Sequence, residues 1–142
     1  MNLLKEKAGF EPFDIGRIKN IVRAELQDGK FYGGTPHEPV VITDEAQLKS
    51  LEKLLADAEL SFASGCPFGL CRLILTTAEG DEVTLIPAVD SCTVFYADGV
   101  FYDYMPAEYR GKEEHPDSSV LFDMLGVSVE EYLQVNEAYY GR

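Results

Sequence analysis

Three cysteines (Cys66, Cys71 and Cys92) and two histidines (His37 and His115) are the side chains of this 142-residue chain best suited to chemistry. Spacing leaves three arrangements open. In one, Cys66 bonds Cys92, closing a loop onto a later strand, and Cys71 stays a small apolar residue beside Leu73 and Leu75. Such a closure contributes roughly 3–3.5 kcal/mol if the loss of unfolded-chain entropy dominates. In the second, Cys66 and Cys71 pair locally. In the third, all three stay reduced, or bind zinc with His37 or His115 as fourth ligand. Cys66 and Cys71 fall within zinc-ligand spacing. The third cysteine stands 21 residues further on and no second close pair exists, which departs from the usual zinc pattern. Cys66-Pro67-Phe68-Gly69-Leu70-Cys71 is not a Cys-x-x-Cys redox motif.

Other constellations are weaker. Ser64, Ser91, His37 and Asp90 can be grouped as a Ser–His–Asp set, but no nucleophile elbow carries a serine. Asp117 reads as a helix cap beside His115. Asp90, Asp98, Asp103 and Glu108 lack the spacing of an EF-hand loop, and Asp98 already has a turn to make. Neither a P-loop nor a dinucleotide fingerprint occurs. No catalytic residue, metal site or cofactor is assigned, and an enzyme is not expected.

The elements that must position these groups follow from periodicity. Residues 1–14 read as an arm, and a strand is expected across 17–27, closed by Asp28-Gly29. Gly29, Gly33, Gly34, Pro36 and Pro39 mark a loop, and Val40-Val41-Ile42 a short strand. Asp44 and Gln47 can form a capping box for a helix over 44–58, whose Leu48, Leu51, Leu55 and Ala58 recur at helical spacing. Residues 61–69 read as loop. Strands follow at 70–78 and 82–86, with Cys71, Leu73 and Leu75 on one face of the first.

Asp98-Gly99 then predicts a two-residue hairpin between 93–97 and 100–104. Its register opposes Ala97 to Val100, Phe95 to Tyr102 and Thr93 to Tyr104 on one face. Tyr96–Phe101 and Val94–Asp103 fall on the other. Phe95, Val100 and Tyr102 are expected to point inward. Helices over 118–125, stopped by Gly126, and from Ser128 to about 140 complete the chain. The class is α+β: an antiparallel sheet (β-β-α, then a four-strand meander) with one main helix and two short C-terminal ones, in a single domain over 1–142.

Composition narrows the function classes. Net charge is −13, with +1 over residues 1–26 and −14 over 27–142. Such a balance disfavours binding to phosphate backbones, so no nucleic-acid partner is expected. No apolar run approaches the roughly 20 residues of a membrane span. The opening Met1-Asn-Leu-Leu-Lys-Glu-Lys lacks the pattern of a secretory leader. An extracytoplasmic location is expected if a leader has been trimmed, and a cytoplasmic one otherwise. Tyr96, Phe101, Asp103, Tyr104 and Tyr109 form the candidate binding surface, since aromatic rings give large contact area at low entropic cost.

Cys66-Pro67-Phe68-Gly69, Leu73-Ile74-Leu75-Thr76, Glu79-Gly80, Asp90-Ser91-Cys92 and Asp98-Gly99-Val100-Phe101-Tyr102 stand in a spaced series. Over residues 15–104 this resembles uncharacterised small extracytoplasmic domains of Gram-positive gut bacteria, which occur as lipoproteins or as outer parts of membrane-bound regulators. The resemblance implies an extracytoplasmic domain in which Cys66 and Cys92 pair. The expected function is a non-catalytic binding or sensing domain with a protein or peptide partner. The alternative is a cytoplasmic acidic inhibitor or immunity-type protein that binds a basic partner.

Overall fold

The computed structural model describes residues 13–30, 32–62, 68–109, 112–113 and 116–132. Seven strands and two α-helices are defined there: β1 (Ile21–Asp28), β2 (Val40–Ile42), α1 (Glu45–Ala56), β3 (Glu59–Ser61), β4 (Cys71–Thr77), β5 (Glu82–Pro87), β6 (Val94–Ala97), β7 (Val100–Asp103) and α2 (Ser119–Met124). Residues 129–132 are also helical. The strands form one sheet in the order β2-β1-β4-β5-β6-β7-β3. Every pairing is antiparallel. The meander of β4 to β7 and the α+β class are as the sequence predicts.

Local rules account for the best-defined elements. Asp44 caps α1 by accepting a hydrogen bond from the Gln47 amide at 2.9 Å. Leu48, Leu51 and Leu55 of α1 are buried in one core with Ala24 and Leu26 of β1, Leu73 and Leu75 of β4, and Phe95 and Tyr102 of the hairpin. The hairpin turns on Asp98 and Gly99, both at positive φ (45° and 88°). Its register opposes Phe95 to Tyr102 and Tyr96 to Phe101, the pairing expected from a two-residue loop. Asp117 caps the start of α2 through the Ser119 amide at 2.9 Å, and Gly126 stops that helix at φ 76°.

Three expectations change. Ile15–Arg17 form a 3-10 turn capped by Asp14 and β1 begins only at Ile21, because Asn20 adopts φ 52° and interrupts extended backbone. Of the expected arm, residues 1–12 lie outside the described residues, while Phe13 is buried edge-on against Tyr102 at 6.1 Å. Strand β3 replaces the end of what reads as a helix-to-loop exit, and it pairs with β7.

The cysteines divide into one free thiol and one that is bonded. Disulfide bonding needs β-carbons roughly 3.5–4.5 Å apart, a distance that loop length does not fix. Cys92 is disulfide-bonded, and Cys71 is not its partner, because Cys71 is a free thiol; the local Cys66–Cys71 pair is therefore excluded. Cys66 itself lies outside the described residues. Cys71 is a free thiol buried in the sheet, and burial pushes its pKa well above the usual thiol value.

Candidate functional site

The outer face of the sheet carries an aromatic ridge set by strand register. Ile86 of β5 opposes Tyr96 of β6, Tyr96 opposes Phe101 of β7, and Phe101 opposes Ser61 of β3. Directly opposed residues share a face, so the row crosses four strands on the side away from α1. The Tyr96 and Phe101 rings sit 5.1 Å apart, and Phe68, arriving from the segment before β4, packs edge-on against Phe101 at 5.5 Å. Ile86, Tyr96, Phe101 and Phe68 are all half-buried, so each ring keeps a wet side.

The ridge runs to a sheet edge. Among the described residues β3 is the terminal strand of the order, paired on one side to β7. Leu60 is 74% exposed and Phe62 87% exposed. Sequence reasoning missed both residues. A three-residue strand shows no alternation to read, and its partner lies far along the chain.

The expected surface residues separate into different places. Tyr96 and Phe101 belong to the ridge. Asp103 is near it, but Asp103 Oδ1 already accepts from Thr93 Oγ1 at 2.7 Å and from the Met105 amide at 2.9 Å. It therefore fixes the exit of β7. Tyr104 is a correction: it is 1% exposed and stacks on Phe95, so it belongs to the core. The hairpin register itself places it there, opposite Thr93 on the inner face. Its hydroxyl has no hydrogen-bond partner, and burial drives its pKa upward. Tyr109 is exposed and lines a separate groove of about 600 Å³ between α1 and α2, with Leu54, Met105, Pro106, Val120 and Met124.

The groups considered for chemistry disperse as well. Ser64 and His115 lie outside the described residues. Asp90 presents its carbonyl to the Ser118 hydroxyl at 2.6 Å, tying the β5–β6 connection to α2. His37 is engaged by Asp28 rather than by a cysteine. No group of three or more His, Cys, Asp or Glu side chains among the described residues is arranged to hold a metal. No described helix is long and apolar enough to cross a membrane. No protein-family model, curated protein or solved structure matches this chain.

Proposed function

We propose that this domain binds a protein or peptide partner as an extended segment laid along β3, its side chains alternating between Leu60 and the adjoining Phe62 on one face and the Phe68–Phe101–Tyr96 ridge on the other. The observation that carries this reading is the exposure of Leu60 and Phe62 on an edge strand. Sheet edges are ordinarily blunted, because unpaired amides and carbonyls beside apolar side chains invite another chain to pair. Here the edge is short, but Leu60, opposite Tyr102, is exposed on one face of it, while Ser61 carries the aromatic ridge to the edge on the other. Strand addition would extend the ladder from β3 and bury those side chains in one step. Each large apolar side chain taken fully out of water contributes about 1.5–3 kcal/mol. Two such anchors together contribute about 3–6 kcal/mol, so the ladder hydrogen bonds and the ridge contacts must supply the rest of the association cost.

The test is selection from a displayed library of random linear peptides, with counter-selection on the Leu60→Lys/Phe62→Lys double variant. The expected result is a set of peptides with alternating apolar residues that perturb the amide resonances of residues 59–62 and 100–103. Enriched peptides that bind the double variant equally, or that perturb the Tyr109 groove instead, would overturn the proposal. Self-pairing of β3 between two copies, seen as a concentration-dependent dimer abolished by the same variant, would replace the foreign partner with a second chain.

A further inference from the structure

His37 sits in a loop, yet every polar atom around its ring is accounted for. Its backbone amide donates to Asp28 Oδ2 at 2.7 Å, and its Nδ1 lies 2.9 Å from Asp28 Oδ1. A carboxylate only accepts, so Nδ1 carries a proton and the ring orientation is fixed from the end of β1. The opposite nitrogen, Nε2, faces two groups: Glu131 Oε2 at 3.5 Å and the Tyr32 hydroxyl at 3.4 Å. The Tyr32 hydroxyl donates its single proton to the Thr35 carbonyl at 2.8 Å. Towards Nε2 it therefore presents a lone pair, as Glu131 does. A neutral imidazole protonated on Nδ1 would turn a bare lone pair towards two acceptors. A doubly protonated ring satisfies all of them.

The aromatic surroundings favour the same form. Tyr132 lies 4.6 Å from the imidazole and Tyr32 5.1 Å, placing a positive ring among π-faces. Tyr132 is buried and packs on Phe122 of α2, so it links the ring to the core. Behind it, the Cys71 thiol is held neutral by burial. Among the described residues the groups facing His37 are thus Asp28 from β1, Tyr32 from the loop, and Glu131 and Tyr132 from the helical turn at 129–132.

We propose that His37 is a proton-operated clasp: doubly protonated, it ties the 129–132 turn to the end of β1, and loss of the Nε2 proton loosens that turn. On deprotonation, either Tyr32 must rotate its O–H away from Thr35 towards Nε2, or Glu131 must move off. Both weaken the junction. The clasp is independent of peptide binding at β3.

The experiment is amide hydrogen exchange over residues 129–132 at pH 5.5 and 7.5, corrected for intrinsic exchange, in a His115→Gln background that leaves His37 as the sole histidine. Protection is expected to fall by about threefold or more at the higher pH, the range of a lost charge-assisted contact. The change should shrink in Glu131→Gln and vanish in His37→Gln. Ring nitrogen shifts at pH 5.5 should report both nitrogens protonated, with Nδ1 keeping its proton at pH 7.5. Protection that is pH-independent, or that varies equally in His37→Gln, would overturn the clasp. Should His37→Gln fail to fold, the ring nitrogen shifts of the parent decide the matter alone.

Discussion

Replacing Gly29 with alanine offers a sharp check on how the sheet is joined to the ridge. Gly29 follows β1, and its amide donates to the Leu70 carbonyl at 3.0 Å. A β-carbon placed there would lie 2.2 Å from the Gly69 carbonyl oxygen, 2.8 Å from its carbon and 2.9 Å from the Cys71 amide nitrogen. These are backbone atoms, so no side chain can swing aside, and the approach must open by more than about 1 Å to reach normal van der Waals separation. Forced insertion of a single carbon into packed structure typically costs ~1–3 kcal/mol. The backbone character of this clash puts Gly29→Ala at the top of that range. With a urea m-value of roughly 1–3 kcal/mol/M, the midpoint should drop by about 1 M or more. Because Gly69 adjoins Phe68, the amide resonances of Phe68 and Phe101 should shift too, whereas those of α1 should not. A variant within about 0.5 kcal/mol of the parent would refute the close approach between the end of β1 and the entry to β4.

Other outcomes follow from single groups. Tyr104→Phe should be neutral or slightly stabilising in urea melts, since it removes a buried hydroxyl with no partner; a loss above about 1 kcal/mol would reveal a bond to that oxygen. Burial raises the pKa of Tyr104 and Tyr132 above the ordinary phenol value, so the folded chain keeps protons that the unfolded chain releases near pH ~10. Their contribution to stability is complete below that pH and is lost as pH climbs above it, which absorbance at the phenolate band should show as a late step coincident with unfolding. Leu51→Ala, at the centre of the α1 stripe, should cost about 2–5 kcal/mol by calorimetry or denaturant titration.

What the sequence discloses is what local chemistry decides. The Asp98-Gly99 turn sets the hairpin register because only a few backbone conformations join two strands with two residues. The register, followed through, already places Tyr104 inside. Its inclusion among surface residues came from the clustering of tyrosines rather than from the pairing. α1 is legible from Asp44 and its leucine stripe. Strand β3 is not, because Glu59-Leu60-Ser61 has no pattern of its own and is defined by hydrogen bonds to β7. The contacts of His37 with Asp28 and Glu131 join segments brought together only by the finished sheet, and neither carboxylate stands out in a chain with 25 of them. Which cysteines pair is not legible in the sequence for a related reason: sequence separation sets the entropy of a closure, while the bond depends on where two β-carbons arrive.

The central claim is that β3 is an open edge built to accept another strand. Hydrogen exchange at those amides of residues 59–62 that point away from β7, measured with and without a selected peptide, tests it most directly. Fast exchange in the free chain and at least tenfold slowing in the complex is the predicted result. Outward amides already protected in the free chain, or unchanged when the peptide is bound, would contradict it.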